Sequence, residues 1–132
     1  MISEDYVTYE TAKLLKEKGF DEATIGYYNT LCEIPERIKF FDSPIFIYGS
    51  DGLIGCIQAP TLQMTMKWLR EVHGIDIEVR THYLNYLKPN DIRYYSGKIL
   101  KGSEDVIHTI YSKDTYEQVA EAGIRYCLEN LI

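Results

Sequence analysis

Apolar residues recur at helical spacing in three segments of the chain. Residues 8–18, 61–73 and 115–131 each open on a threonine, and Gly19 and Gly74 follow the first two segments. A threonine at the N-cap accepts a hydrogen bond from a backbone N–H that the helix leaves unpaired, and a glycine after the last turn takes the left-handed conformation. The sequence therefore predicts three capped helices.

The middle helix carries the only tryptophan, Trp68, between the cations Lys67 and Arg70. Its predicted core-facing stripe consists of Leu62, Met66, Leu69 and Val72. Trp68 lies beside this stripe at helical spacing, while the two cations fall on other sides of the helix. We predict that the Trp68 ring covers the edge of the core and does not hold a ligand.

The last helix has the strongest pattern. Thr115 and Gln118 form a capping box, in which each side chain satisfies a backbone N–H near the other. The apolar stripe that follows contains Tyr116, Val119, Ala120, Gly123, Ile124, Cys127, Leu128 and Leu131. A helical glycine costs about 1 kcal/mol relative to alanine, so Gly123 predicts a close approach of this helix to a sheet.

The remaining segments have strand character. Residues 25–31 read as one strand, residues 32–44 as a long excursion broken by two prolines, and residues 45–57 as a hairpin. From Ile75 apolar and polar residues alternate, as in a half-buried strand, and residues 92–100 and 105–112 are predicted to form two more strands after short polar turns. Such turns favour an antiparallel meander. We predict a single α+β domain over residues 1–132, in which three helices pack on an antiparallel sheet with a C-terminal three-stranded meander.

Composition narrows the classes of function. The net charge is -6 and the pI is about 5.0, and the cations are scattered, so we expect no binding to nucleic acid. No segment has the apolar length of a membrane span, and the acidic N-terminal stretch is unlike a secretory signal, so we expect a cytoplasmic protein. The three cysteines form no CxxC pair. We expect no metal, no other cofactor and no catalytic residue.

Tyrosine is unusually frequent, with 12 residues against 4 phenylalanines. Its ring and hydroxyl suit protein contact surfaces. We expect a contact surface on the sheet, made by Tyr83, Tyr94, Tyr95 and His82, for a protein partner or for a second copy of the chain.

Two other interpretations stay open. His82 shares one face of its strand with Glu78, and His108 lies in a strand that could be near it. A cluster of His, Tyr and Glu side chains could therefore serve a small enzyme or a small-ligand binder. The acidic charge also allows a mimic of nucleic acid that blocks a DNA-binding protein.

Three stretches together resemble a known group. VTYETAKLLKEKGFDE, APTLQMTMKWLREVHGIDIEV and YSKDTYEQVAEAGIRYCLENLI are similar to small proteins of phages and mobile elements of gut bacteria. Those proteins share a helix ending in KGF, an APT before a helix with WLR, and a final helix that opens on Tyr-Glu and contains Ala-Gly. The group has no assigned activity. The resemblance implies a setting in a phage or mobile element. The tyrosine excess and the absence of a catalytic signature lead us to expect a non-catalytic accessory or protein-binding role there.

Overall fold

The computed structural model describes residues 2–48, 54–83, 93–102 and 105–132. Contacts between residues divide the chain into two compact units, Met1–Met64 and Thr65–Ile132. Over the described ranges, three helices combine with two three-stranded antiparallel sheets. This is the α+β class that the sequence predicts.

The N-terminal unit contains helix α1 (Tyr9–Glu17) and strands β1 (Thr24–Asn29), β2 (Lys39–Ile45) and β3 (Cys56–Ala59). Strand β1 lies in the middle of the sheet, in the order β2-β1-β3. Helix α1 packs on β3. The buried core of this unit includes Val7, Ala12, Leu15, Phe20, Tyr28, Ile47, Ile57 and Ala59.

The predicted caps of α1 are present. The Thr8 side chain accepts a hydrogen bond from the Thr11 N–H at 3.3 Å. At the other end Gly19 has a φ of 88°, and the Phe20 N–H donates to the Leu15 carbonyl at 2.9 Å. This ending folds the chain back, so that Phe20 is buried at the base of the helix.

Two expectations for this unit are wrong. The described residues of the segment 45–57 do not pair as a hairpin, because β2 and β3 pair with β1 on opposite sides. The predicted turn at residues 49–52 lies outside the described residues. The excursion predicted at 32–44 contains β2, which includes Pro44. Proline lacks a backbone donor, but β2 is an edge strand of this sheet, where that loss is tolerated.

A buried glutamine joins the strands of this unit. Gln58 on β3 accepts a hydrogen bond from the Ile47 N–H at 2.6 Å. Its amide nitrogen donates to Thr24 Oγ1 at 2.6 Å and to the Ile45 carbonyl at 3.1 Å. The Thr24 hydroxyl in turn donates to the Gly26 carbonyl at 2.7 Å. The side chain of Gln58 thus satisfies backbone groups where β2 ends.

Helix α2 spans Leu62–His73. As predicted, Trp68 is buried, with 5% exposure, and its ring meets that of His73 edge-on at 4.8 Å. Val72 was predicted in the buried stripe and is 60% exposed. The buried face of α2 therefore includes Met66, Trp68 and Leu69 and excludes Val72.

The C-terminal unit contains β4 (Ile75–Tyr83), β5 (Arg93–Lys101), β6 (Val106–Lys113) and helix α3 (Tyr116–Asn130). The strands pair in the order β4-β5-β6, all antiparallel, which confirms the meander. The predicted turn at residues 88–91 lies outside the described residues. Helix α3 packs against all three strands.

Two glycines bring α3 close to the sheet. A Cβ at Gly97 on β5 would lie 2.6 Å from Val119 Cγ1, and one at Gly123 on α3 would lie 3.0 Å from Ile110 and Ile77 side-chain atoms. The Gly123 contact confirms the close approach predicted from the sequence. These contacts also identify the side of the sheet that faces α3, which is the side of Ile77, Gly97 and Ile110.

Candidate functional site

Strand β6 forms one edge of the C-terminal sheet. In the described part of the sheet it pairs with β5 on one side and with no strand on the other. Its exposed large side chains are Val106, Ile107 and Tyr111, the last at 80% exposure. An edge strand offers unpaired backbone donors and acceptors to an incoming strand, and here apolar side chains accompany them.

An open groove of about 580 Å³ runs between β6 and α3. Residues 108–113 of β6 form one wall, and Ala122, Arg125, Tyr126 and Glu129 of α3 form the other. The helix contacts β4 and β5 more extensively than β6. As a result, the side of β6 that faces the helix is left partly uncovered.

A capping box fixes the start of α3 immediately after β6. The Gln118 N–H donates to Thr115 Oγ1 at 3.1 Å, and Gln118 Oε1 accepts from the Thr115 and Asp114 N–H groups at 3.2 Å and 3.0 Å. Only Asp114 and Thr115 separate strand from helix. Because this connection is short and fixed by hydrogen bonds, it sets the position of one wall of the groove relative to the other.

Aromatic stacking forms the floor of the groove. The His108 ring on β6 and the Tyr126 ring on α3 lie 3.7 Å apart with an interplanar angle of 6°. On the helix wall, Arg125 pairs with Glu129 at 2.9 Å. Lys113 adds a cation at the C-terminal end of β6. The groove therefore combines an aromatic floor with charges of both signs.

The pairing of β6 with β5 contains two irregularities. Ile99 pairs with His108 and Leu100 with Val106, which leaves Ile107 as an extra residue in β6. A second extra residue lies between Ile110 and Lys113. Such bulges bend a strand and make its edge a poor match for a regular strand.

The structure brings two of the predicted contact residues together. His82 on β4 faces Tyr94 on β5, and their rings stack 4.7 Å apart at 10°. His82 Nε2 also lies 2.7 Å from Ser96 Oγ, at hydrogen-bond distance. Because side chains alternate along a strand, Tyr94 and Ser96 point away from the α3 side defined by Gly97. This cluster therefore lies on the outer side of the sheet.

The other two predicted residues lie on the side that faces α3. Tyr95 follows the same alternation as Gly97, and Tyr83 follows that of Ile77. The Arg93 guanidinium lies 5.7 Å from the Tyr83 ring. The four residues thus divide between two surfaces and do not form one patch.

His82 and His108 lie on opposite sides of the sheet. The bulge at Ile107 explains this placement. With regular pairing from Leu100 and Val106, His108 would face Lys98 on the outer side, where His82 is found. The extra residue moves His108 opposite Ile99 and onto Tyr126. The cluster of both histidines that the sequence allowed is not formed.

The cysteines differ in environment. Burial raises the pKa of the Cys127 thiol to about 12 and raises the pKa of the Cys56 thiol. Cys32 lies 3.1 Å from Lys39 Nζ, and this hydrogen bond is the main cause that raises the pKa of Lys39. Among the described residues, no three His, Cys, Asp or Glu side chains converge so as to hold a metal ion.

Sequence reasoning missed the residues of the β6 edge and the groove. The prediction placed residues 105–112 in a strand without distinguishing Ile107, Tyr111 or Tyr126. One signal was present in the sequence: Val106 and Ile107 are adjacent apolar residues that interrupt the alternation of a half-buried strand. Such an interruption is typical of a bulge, and bulges are frequent at sheet edges.

No family model, curated protein or solved structure matches this chain. Of the helices in the described ranges, none combines the length and the apolar composition that a membrane crossing requires.

Proposed function

We propose that this chain is a non-catalytic protein-binding domain that takes an extended segment of another protein chain along the free edge of β6. Following the resemblance, it is an accessory protein of a phage or mobile element that acts in the cytoplasm. The observation that carries the proposal is the open groove between β6 and α3, with exposed apolar residues along the same edge.

Strand addition is the mode of binding that this geometry supports best. An added strand gains backbone hydrogen bonds along the edge, while its alternate side chains enter pockets on either side of the sheet. On one side lies the groove with its His108 and Tyr126 floor. On the other side Ile107 provides an apolar contact, together with the exposed ring of Tyr111, which also borders the groove. The edge and both flanking surfaces are therefore available to the same segment.

The groove suits a protein segment better than a small molecule. It is long and open, and a whole strand and a helix form its walls, whereas sites for small molecules enclose most of the ligand. Aromatic residues and arginine, which are enriched at protein interfaces, are represented here by Tyr111, Tyr126 and Arg125. The binding site is consequently a contact surface of the C-terminal unit.

An affinity capture from a lysate of the host tests the proposal. Tagged wild-type protein is compared with a Tyr111→Lys variant after nuclease treatment, and bound proteins are quantified by mass spectrometry. We expect a stoichiometric protein partner that the Tyr111→Lys variant retains much less well, because a charge replaces the most exposed ring of the edge.

Val72→Lys serves as the matched control, since Val72 is an exposed apolar residue of a different element, helix α2. It should capture the partner as well as the wild type does. Equal capture by all three proteins, or no captured protein and no self-association of the wild type, would overturn the proposal.

A second candidate function rests on His82 and Ser96, whose side chains lie 2.7 Å apart on the outer side of the sheet. A histidine at this distance from a serine hydroxyl can act as its general base. Under this interpretation, His82, Ser96 and Tyr94 form the site of a small hydrolase or of a ligand-binding protein. A serine-reactive fluorophosphonate should then label the wild type and not a Ser96→Ala variant. Equal labelling of both proteins excludes this candidate.

A further inference from the structure

We propose that the segment bound along β6 is β6 of a second copy of this chain. The two strands run antiparallel about a two-fold axis at Thr109, so that Thr109 faces its own counterpart. This inference rests on the proposed function, because it names the occupant of the same edge. The result is a continuous six-stranded sheet with both α3 helices on one side.

The apolar side chains of the edge match themselves in this register. Ile107 lies two residues before Thr109, and Tyr111 lies two residues after it. In each copy, Ile107 therefore faces the partner's Tyr111. Ile107, Thr109 and Tyr111 alternate with His108 and Ile110, which face α3. All three therefore lie on the outer side of the sheet. The pairing covers two exposed apolar residues from each copy with an aromatic and β-branched contact, a favourable cross-strand pair.

Charges at the two ends of β6 are complementary in the same register. Asp105 lies four residues before Thr109 and Lys113 lies four residues after it. Asp105 is thus placed opposite the partner's Lys113 at both ends of the paired strands. Opposite charges directly across two strands stabilise the pair, and a shifted register would lose this match.

The bulges of β6 also lie symmetrically about Thr109. One extra residue is Ile107, and the other lies between Ile110 and Lys113. When the strand pairs with itself in antiparallel orientation, the bend on one side of the axis meets the bend on the other side. A strand with matching bends follows this edge more closely than a regular strand does. A second copy of β6 therefore matches its shape as well as its charges.

The two-fold arrangement makes the interface isologous, because each copy contributes the same edge. Isologous interfaces of this kind are the most common in homodimers.

Sedimentation velocity over a range of protein concentrations tests the inference. We expect a reversible dimer of the wild type. Asp105→Lys and Lys113→Glu, each of which places like charges opposite one another, should each weaken it by about tenfold. The double variant Asp105→Lys/Lys113→Glu restores both pairs in reversed orientation and should dimerise like the wild type. Lys67→Glu, at an exposed position on α2, is the control and should leave the dimer unchanged.

A cysteine cross-link tests the register. Thr109→Cys should form a disulfide between copies under mild oxidation, because the axis places the two residues opposite each other. Lys98→Cys is the matched control, since Lys98 pairs with Thr109 but lies on β5, one strand away from the axis. It should remain uncross-linked. Circular dichroism spectra confirm that each variant is folded.

A wild type that stays monomeric at high micromolar concentration would overturn the inference, as would a dimer that the double variant does not restore. These failures are distinguishable from failure of the proposed function. A monomer that still captures another protein through Tyr111 leaves the proposed function intact and removes only the second copy as the occupant.

Discussion

Replacement of Gln58 by leucine tests the energetic role of the buried hydrogen-bond network in the N-terminal unit. The substitution removes the acceptor of the Ile47 N–H and the donor to Thr24 and Ile45, while it keeps a side chain of similar volume. Ile47 is buried, so its N–H cannot turn to water. The cost therefore includes an orphaned backbone donor as well as lost hydrogen bonds.

The expected loss can be worked from these contacts. An orphaned buried donor costs about 1–3 kcal/mol, and each of the other two hydrogen bonds contributes about 0.5–1.5 kcal/mol. The added apolar surface of leucine offsets part of this cost. We therefore expect the free energy of unfolding to fall by about 2–5 kcal/mol, a large share of the total stability of a typical domain.

Urea denaturation followed by far-ultraviolet circular dichroism measures this loss. Glu71→Leu is the control, because Glu71 is an exposed residue of α2, and it should change the free energy of unfolding by no more than about 0.5 kcal/mol. A Gln58→Leu variant as stable as Glu71→Leu would refute the reasoning, since the network would then contribute nothing beyond its apolar volume.

Three further predictions concern the C-terminal unit. Gly97→Ala would place a Cβ 2.6 Å from Val119 and 3.1 Å from the Glu78 carbonyl oxygen, so we expect a loss of about 1–3 kcal/mol, measured as a lower thermal midpoint; an unchanged midpoint would contradict the close approach of α3. Thr115→Ala removes the N-cap of α3 and should lower the free energy of unfolding, measured by urea denaturation, by about 1 kcal/mol. An unchanged free energy of unfolding would mean that the capping box does not stabilise the fold. The pKa of Cys127 is raised from 9.0 to about 12 by burial, so above pH 9 the unfolded chain loses a proton that the folded chain keeps, and stability falls as pH rises through this window. Between pH 8 and pH 10, wild-type protein should therefore lose about 1.4 kcal/mol more than a Cys127→Ala variant, and parallel pH profiles would contradict that burial.

Sequence patterns predicted the elements whose signals are local. The caps at Thr8 and Thr115, the glycine ending at Gly19 and the meander all follow from residues within a few positions of one another. The packing role of Gly123 was also predictable, because a glycine inside an apolar helical stripe implies a close neighbour. The prediction of one domain remains a prediction beside the two compact units of the structure.

Features that depend on distant residues were not predictable. Strand β1 lies between β2 and β3 although residues 45–57 look like a hairpin, because strand order depends on pairing with residues more than ten positions away. Pro44 is tolerated in a strand only because β2 is at an edge. No residue within the sequence of β2 or β3 indicates where that strand lies in the sheet.

The candidate site shows the same limit. His82 lies in a strand, as the local alternation predicts, and its ring stacks on Tyr94, whereas Tyr83 and Tyr95 lie on the other side of the sheet. The position of His108 depends on the bulge at Ile107, which changes the side that each following residue faces. A single extra residue therefore separated the two histidines and placed His108 in the groove that borders the proposed binding site.

Photo-cross-linking at Tyr111 in the host tests the central claim most directly. Benzoylphenylalanine replaces Tyr111, and in a control protein it replaces Leu31, an exposed residue of the N-terminal unit; cross-linked products are identified by mass spectrometry. The account predicts a product specific to position 111, and a homodimer product would identify the second copy as the occupant. No product at position 111 beyond that at position 31 would contradict the claim that the β6 edge binds a protein chain.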